Sequence, residues 1–179
     1  MYKRQHPDDI EQAWEAIKIA KDSRIHVFTS TSEIHMEHML RKTKEDILKD
    51  TRESVKYAKK LCQDVEFSAQ DATRTDKEFL IEVLKTAVEE GATTINVPDT
   101  VGYATPKDYL DLLQSVYEDV KGGNEDVIIS THCHNDLGLA VANSLTAITA
   151  GARQIEGAIN GIGERAGNTS TEEIIMAIK

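Results

Sequence analysis

Short β-branched and aromatic runs alternate with long amphipathic stretches along this chain, and that alternation restricts the fold more than any other feature. The segment DDIEQAWEAIKIAK puts Ile10, Ala13, Trp14, Ile17 and Ala20 on one helical face, with Pro7 suited to the first turn. RIHVFTS then reads as a strand, and KEDILKDTRESVKYAKKLC stripes Ile47, Leu48, Thr51, Val55, Ala58 and Leu61 at helical spacing. VEFSA is the second strand. It leads into TRTDKEFLIEVLKTAVEEG, where Thr75 and Glu78 have capping-box spacing, Phe79, Leu80, Val83, Leu84, Ala87 and Val88 form the stripe, and Gly91 can close the helix. TTINVP follows, then a helix opening at Thr105-Pro106 and running through Leu110, Leu113, Val116, Tyr117 and Val120. VIISTHC, the small-residue helix LGLAVANSLTAITAG and the strand RQIEGAI come next, and a last helix opens with Ser170 and Glu173 at capping-box spacing. Two helices end alike, in EEGATTINV and TAGARQIEG, each passing through Gly-Ala into a strand.

The sum is one helix followed by five strand-helix units at roughly thirty-residue intervals, which argues for an α/β fold of parallel strands with helical crossovers. Alternation alone leaves an open doubly wound sheet and a barrel both standing. No G-x-G-x-x-G joins a first strand to its helix, which argues against a dinucleotide-binding sheet; GIGERAG comes after the last strand, with the wrong spacing.

With 179 residues the chain is about one domain's worth and long enough to bury a substantial core. A net charge of −10 makes a nucleic-acid partner unfavourable, since phosphates would meet a repelling surface. No apolar run approaches the roughly 18 residues needed to span a bilayer, and the start MYKRQHPDD has no apolar signal region, so no membrane association is expected. Cys62 and Cys133 are too few for a disulfide framework, and a reducing cytoplasm is the expected location.

Polar residues gather where the strands end. In STHCHNDLG, residues two apart share a face of a strand, so His132 and His134 point one way and Cys133 the other. Both imidazoles then lie at the C-terminal end of VIISTHCH, the end at which barrel enzymes build their sites. One histidine packed in the core and one in a loop is the plainer alternative. VEFSAQD ends with Ser68, Gln70 and Asp71, and TINVPDT with Asn96, Pro98, Asp99 and Thr100; Asp71 and Asp99 read equally well as turn or cap residues. NGIGERAGN packs glycines and charges beside Asn168, a loop whose backbone N–H groups can approach a ligand closely, or a plain flexible connector. Asp136 is most simply a cap for the next helix. His35 and His38 have i, i+3 spacing but no second ligand cluster beside them, which favours a solvated helix start; His26 and His6 carry no signal.

Taken together, RIHVFTSTS, VEFSAQDATRTD, TTINVPDTVGY, THCHNDLGLAVANSL and GARQIEGAINGIGERAGN resemble the 2-isopropylmalate synthases, within the family of metal-dependent Claisen-type condensing enzymes and lyases. The resemblance runs from about Asp8 to Lys179 and implies an eight-stranded (β/α) barrel. Residues 1–179 would form one partial catalytic barrel domain, the C-terminal five strand-helix units, with the first three strands absent. It implies that acetyl-CoA, as co-substrate, condenses with 2-oxoisovalerate in leucine biosynthesis. His132 and His134 match its metal-binding histidines, and Asn168 a position at or beside a divalent ion, whether manganese, magnesium or zinc. Ser68, Asn96, Pro98 and Thr100 match positions lining the oxo-acid pocket, and Glu164, in the loop near the metal and the acyl-CoA, is a candidate catalytic carboxylate. Gln70 stands where the family has a catalytic glutamate, and a carboxamide cannot accept a proton as a base.

The resemblance also implies a homodimer at full length. Because it places an aspartate of the metal shell on the first strand, the chain alone is expected not to catalyse condensation. Citramalate synthase, homocitrate synthase and the hydroxymethylglutaryl-CoA lyase type are alternatives within the family. A metal-dependent hydrolase or a non-catalytic assembly piece are alternatives of other classes.

Overall fold

A computed structural model describes residues 6–122 and 124–179; MYKRQ, read above as lacking an apolar signal, lies outside them. The elements are α1 (Pro7–Ile17), β1 (Arg24–Ser30), α2 (Glu33–His35), α3 (Lys44–Leu61), β2 (Asp64–Gln70), α4 (Lys77–Glu89), β3 (Thr94–Asp99), α5 (Pro106–Val116), β4 (Ile128–Cys133), α6 (Ala140–Thr149), β5 (Gln154–Glu156) and α7 (Thr171–Ile178). The strands form a sheet in the order β1-β2-β3-β4-β5. Two pairings are parallel: β1 with β2, from Arg24 opposite Asp64 to Ser30 opposite Gln70, and β4 with β5, from Ser130 opposite Gln154 to His132 opposite Glu156. Among the described residues, no helix is long and apolar enough to cross a membrane.

The chain divides into two compact units, one running to Gln70 and resuming over Arg74–Ile95, the other comprising Asp71–Thr73 and Asn96–Lys179. In the first, Ile25, Val27, Val65 and Phe67 from the strands are buried with Ile47, Val55, Leu80 and Leu84 from α3 and α4. Five consecutive β2 residues, Val65 to Ala69, are buried, as expected for a parallel strand covered on both faces. In the second unit, Tyr109 and Leu113 of α5 and Ala140 and Ala147 of α6 are buried, as are Val97 and Ile129 of the strands.

Local sequence accounts for most boundaries. Thr105 caps α5 by accepting from the Asp108 N–H, and Ser170 caps α7 by accepting from the Glu173 N–H. The two Gly-Ala endings are the same motif built twice. The Ala92 and Ala152 N–H groups donate to the carbonyls of Ala87 and Ala147, both at 3.0 Å, while Gly91 (φ +106°) and Gly151 (φ +99°) take the left-handed turn. Each chain then enters its strand with the same bond, Thr93 N–H to the Val65 carbonyl and Arg153 N–H to the Ile129 carbonyl, both 2.9 Å.

Three expectations are corrected. The cap of α4 is Asp76, which accepts from the Phe79 N–H at 3.0 Å; Thr75 instead bonds the Thr31 hydroxyl at 2.7 Å. An ionised carboxylate one residue closer to the helix satisfies the N-terminal N–H groups better than the hydroxyl can. On α1 only Ile10 is buried; Trp14 and Ile17 are half-buried, and Ala13 and Ala20 are exposed, because the helix ends at Ile17 and leans on its neighbours through one turn. RQIEGAI yields a strand of three residues, after which the chain turns at Ile159–Gly161.

Candidate functional site

In the second unit, alternation along β4 separates two chemistries. Thr131 and Cys133 face α5, where the Tyr109 hydroxyl donates to the Val97 carbonyl at 2.5 Å and meets the Thr131 hydroxyl, with Cys133 Sγ 3.4 Å beyond. Burial pushes the Cys133 thiol pKa up, and both cysteines are free. A reactive thiol needs the opposite environment, so the cysteine of H-C-H has a packing role.

His132 and His134 point to the other face, their Nε2 atoms 3.2 Å apart and their rings edge to face. Two nitrogens each about 2.0–2.1 Å from one ion, at tetrahedral or octahedral angles, stand about 2.9–3.4 Å apart. The pair thus has a spacing that suits either two ligands of one ion or a direct imidazole–imidazole hydrogen bond. His134 is held by its N–H to the Asp99 carbonyl at 3.1 Å and by an antiparallel bridge to Asn168. Burial, the neighbouring His132 and Arg165 keep its pKa below the ordinary imidazole value, which favours the neutral form a metal needs. The buried His134 Nδ1 and Asn168 Oδ1 have no hydrogen-bond partner among the described residues. Asn168 reaches this place because residue 163 is glycine: a Cβ there would come within 2.6 Å of its Nδ2. Two imidazoles and a carboxamide oxygen suit a divalent ion, and these residues fit one.

Glu156 was not singled out by the sequence. It lies opposite His132 in the β4–β5 register and places Oε2 3.1 Å from His132 Nδ1. A carboxylate behind a ligating imidazole fixes which nitrogen is left for the metal. The available signal was positional, an acidic residue on a short strand that pairs alongside H-x-H.

The remaining expected residues fall as follows. Asn96 and Pro98 are buried on β3, and Thr100 just beyond it accepts from the Asp71 N–H at 2.9 Å. Asp99, on the opposite face, accepts from the Thr73 hydroxyl at 3.0 Å and the Ala104 N–H at 3.2 Å, so it organises the turn. Burial raises its pKa against those bonds. Asp136 does not cap α6: Asn135 Oδ1 accepts from the Ala140 N–H at 3.2 Å, and Asp136 receives the Arg165 guanidinium instead. Glu164 projects outward, its side chain 82% exposed, with Arg165 Nη1 3.9 Å away.

The first unit carries its own polar chain at the strand ends. Ser30 donates to Gln70 Oε1 at 2.6 Å, and the Ser30 oxygen lies 3.3 Å from His35 Nδ1. His35 Nε2 is 3.5 Å from Arg74 Nη2. Since the Ser30 proton goes to Gln70 and arginine can only donate, His35 carries its proton on Nδ1. His35 is thus tied into a network, not merely a solvated helix start, while His38 is exposed. His26, which carried no sequence signal, meets the Ser68 hydroxyl at 2.6 Å.

Parallel strands joined by helices, with polar residues gathered at a strand's carboxyl end, define the class of α/β proteins that build their sites at that end of the sheet. The HMGL-like family pattern matches residues 1–179, and the chain belongs to that family. It is 57% identical over 175 residues to a 2-isopropylmalate synthase of Clostridium kluyveri, covering 98% of this chain and 34% of the relative. It is 55% identical over 170 residues to one from Pyrococcus furiosus, covering 95% and 34%. The chain therefore spans about a third of the length of these relatives. Among solved structures, a hydroxymethylglutaryl-CoA lyase from Pseudomonas aeruginosa superposes with a TM-score of 0.78 at 18% identity, over 93% of this chain and 58% of that one. The corresponding lyase from Brucella melitensis gives 0.76 at 17%, over 93% and 62%. At such identities the likeness concerns the fold.

Proposed function

We propose that residues 1–179 are part of the catalytic barrel of an acyl-CoA condensing enzyme that joins acetyl-CoA to 2-oxoisovalerate, giving 2-isopropylmalate for leucine biosynthesis. The observation that carries this reading is the His132–His134 pair, two imidazole nitrogens 3.2 Å apart at a strand's carboxyl end, in a chain 57% identical to a 2-isopropylmalate synthase. On this reading the enzyme is cytoplasmic and the full-length protein a homodimer.

A divalent manganese, magnesium or zinc ion held by His132, His134 and Asn168 would supply Lewis-acid polarisation of the ketone of the 2-oxo acid. Glu156 Oε2, 3.1 Å from His132 Nδ1, would favour the ring orientation in which Nε2 faces His134. On this reading Asn96, Pro98 and Thr100 of the second unit would bind the 2-oxo acid, and Ser68 of the first keeps the oxo-acid role that the resemblance gives it. Condensation requires removal of a methyl proton, C–C bond formation at the ketone carbon and hydrolysis of the thioester. Gln70 cannot take that proton; its Oε1 accepts a hydrogen bond from Ser30. Glu164 is the carboxylate of the glycine loop, exposed and open to an approaching acyl-CoA.

The test replaces the matching segment of the Clostridium kluyveri synthase with this chain and follows CoA thiol release from acetyl-CoA with 2-oxoisovalerate. Release that depends on 2-oxoisovalerate and is lost in His132→Ala, His134→Ala supports the reading. A preference for pyruvate or 2-oxoglutarate would move the assignment to a citramalate or homocitrate synthase. Release unaffected by the double substitution would overturn it.

A further inference from the structure

Arg165 holds its backbone at φ +57°, a left-handed conformation that non-glycine residues seldom adopt. From there its guanidinium makes three bonds. Nε donates to Asp136 Oδ1 at 2.8 Å, and Nη2 donates to Asp136 Oδ2 at 2.9 Å and to the Thr100 carbonyl at 2.8 Å. One side chain thereby joins the loop after β5 to the loops after β4 and β3.

The other end of this contact is equally constrained. Leu137 N–H donates to the Gly102 carbonyl at 3.0 Å, and a Cβ on Gly102 would come within 2.5 Å of Asp136 Oδ2 and 2.8 Å of the Asp136 nitrogen. The carboxylate thus sits where only glycine leaves room. Next to it, Asn135 N–H donates to the Gly167 carbonyl at 2.9 Å, and Asn168 N–H donates to the Gly161 carbonyl at 2.9 Å. These bonds run directly into the residue that bridges His134.

Energetics argue that this contact sets geometry more than it supports folding. The Arg165 side chain is 45% exposed and that of Asp136 27%, and ion pairs so open to water add little to stability. What a planar fork supplies at such a place is direction, because two parallel bonds to one carboxylate and a third to a carbonyl admit one orientation.

We propose that Arg165 is a positioning residue: gripping Asp136 and the Thr100 carbonyl, it holds the glycine loop so that Asn168 stands against the His132–His134 pair, and so sets the affinity for the ion. This rests on the reading of those three residues as metal ligands. It also ties the oxo-acid side, through Thr100, to the metal side, through Asn168.

The experiment is calorimetric titration of the chain with Mn²⁺ alone, alongside thermal unfolding. Arg165→Met and Asp136→Asn should each weaken binding about 10- to 100-fold, as loss of residues supporting metal ligands typically does, with little change in melting temperature. The double variant should bind no more weakly than the worse single one, because both changes break one contact. Arg165→Lys keeps the charge but loses the fork, and should resemble Arg165→Met; it also carries the test if the methionine variant unfolds. Wild-type affinity in Arg165→Lys and Asp136→Asn, or additive losses in the double variant, would overturn the proposal. His132→Ala, His134→Ala separates the two claims. Binding retained there refutes the metal site itself, whereas binding lost there but intact in the Arg165 variants refutes only the positioning role.

Discussion

Glu156→Ala removes the carboxylate oxygen that lies 3.1 Å from His132 Nδ1 and leaves the ring free to rotate or to place its proton on Nε2. Either change withdraws Nε2 from the partner nitrogen 3.2 Å away. Losing a carboxylate behind a ligating histidine typically weakens metal binding 10- to 100-fold, about 1.4 to 2.8 kcal/mol. Both side chains are 27% exposed, so water screens the pair and partly replaces the lost acceptor. The lower half of that range is therefore expected, about 10- to 30-fold. Glu156→Gln keeps a polar group of the same size beside Nδ1 while dropping the charge, and should fall between wild type and alanine. Mn²⁺ titration calorimetry at pH 7.5 measures the dissociation constants, with thermal unfolding confirming that each variant folds. An alanine variant binding within two-fold of wild type would refute the idea that Glu156 sets the His132 ring.

Tyr109→Phe should destabilise the chain by about 1–3 kcal/mol, because it leaves the Val97 carbonyl without its buried donor; an unchanged urea midpoint would count against this. Gln70→Glu, in the Clostridium kluyveri chimera, should raise the condensation rate, since a carboxylate can take the Ser30 bond on one oxygen and a proton on the other. Groups acting as general bases typically contribute 10²- to 10⁴-fold, and equal rates would show that position 70 only hydrogen-bonds. His134 has its folded pKa held below the ordinary imidazole value of 6.5, so its contribution to stability is complete above that value and is lost as pH falls through the lower folded pKa. The urea midpoint should drop from pH 7 to pH 5 by more in wild type than in His134→Asn; equal drops would show that another group governs the fall.

Much of this architecture is legible in the sequence because periodicity reports burial. The stripe Ile47, Thr51, Val55 and Ala58 is buried as spaced, and both Gly-Ala helix endings form the turns their residues favour. H-x-H is legible for the same reason: alternation in a strand fixes that two residues share a face before any partner is known. What stays hidden depends on elements distant in the chain. Glu156 gains meaning only from the β4–β5 register, and His35 only from the return of β2 beside β1. Asp136 reads as a helix cap because caps are local, whereas its partner Arg165 is 29 residues away. The misplacement of the α4 cap by one residue is a competition between Thr75 and Asp76 that tertiary contact with Thr31 decides.

That His132 and His134 together hold one ion is tested most directly by electron spin-echo envelope modulation of the chain loaded with one equivalent of Mn²⁺. Modulation from two directly coordinated imidazole nitrogens is expected, reduced to one in His132→Ala or His134→Ala alone and abolished in the double variant. Bound Mn²⁺ without imidazole modulation, or with modulation that survives the double substitution, would contradict it.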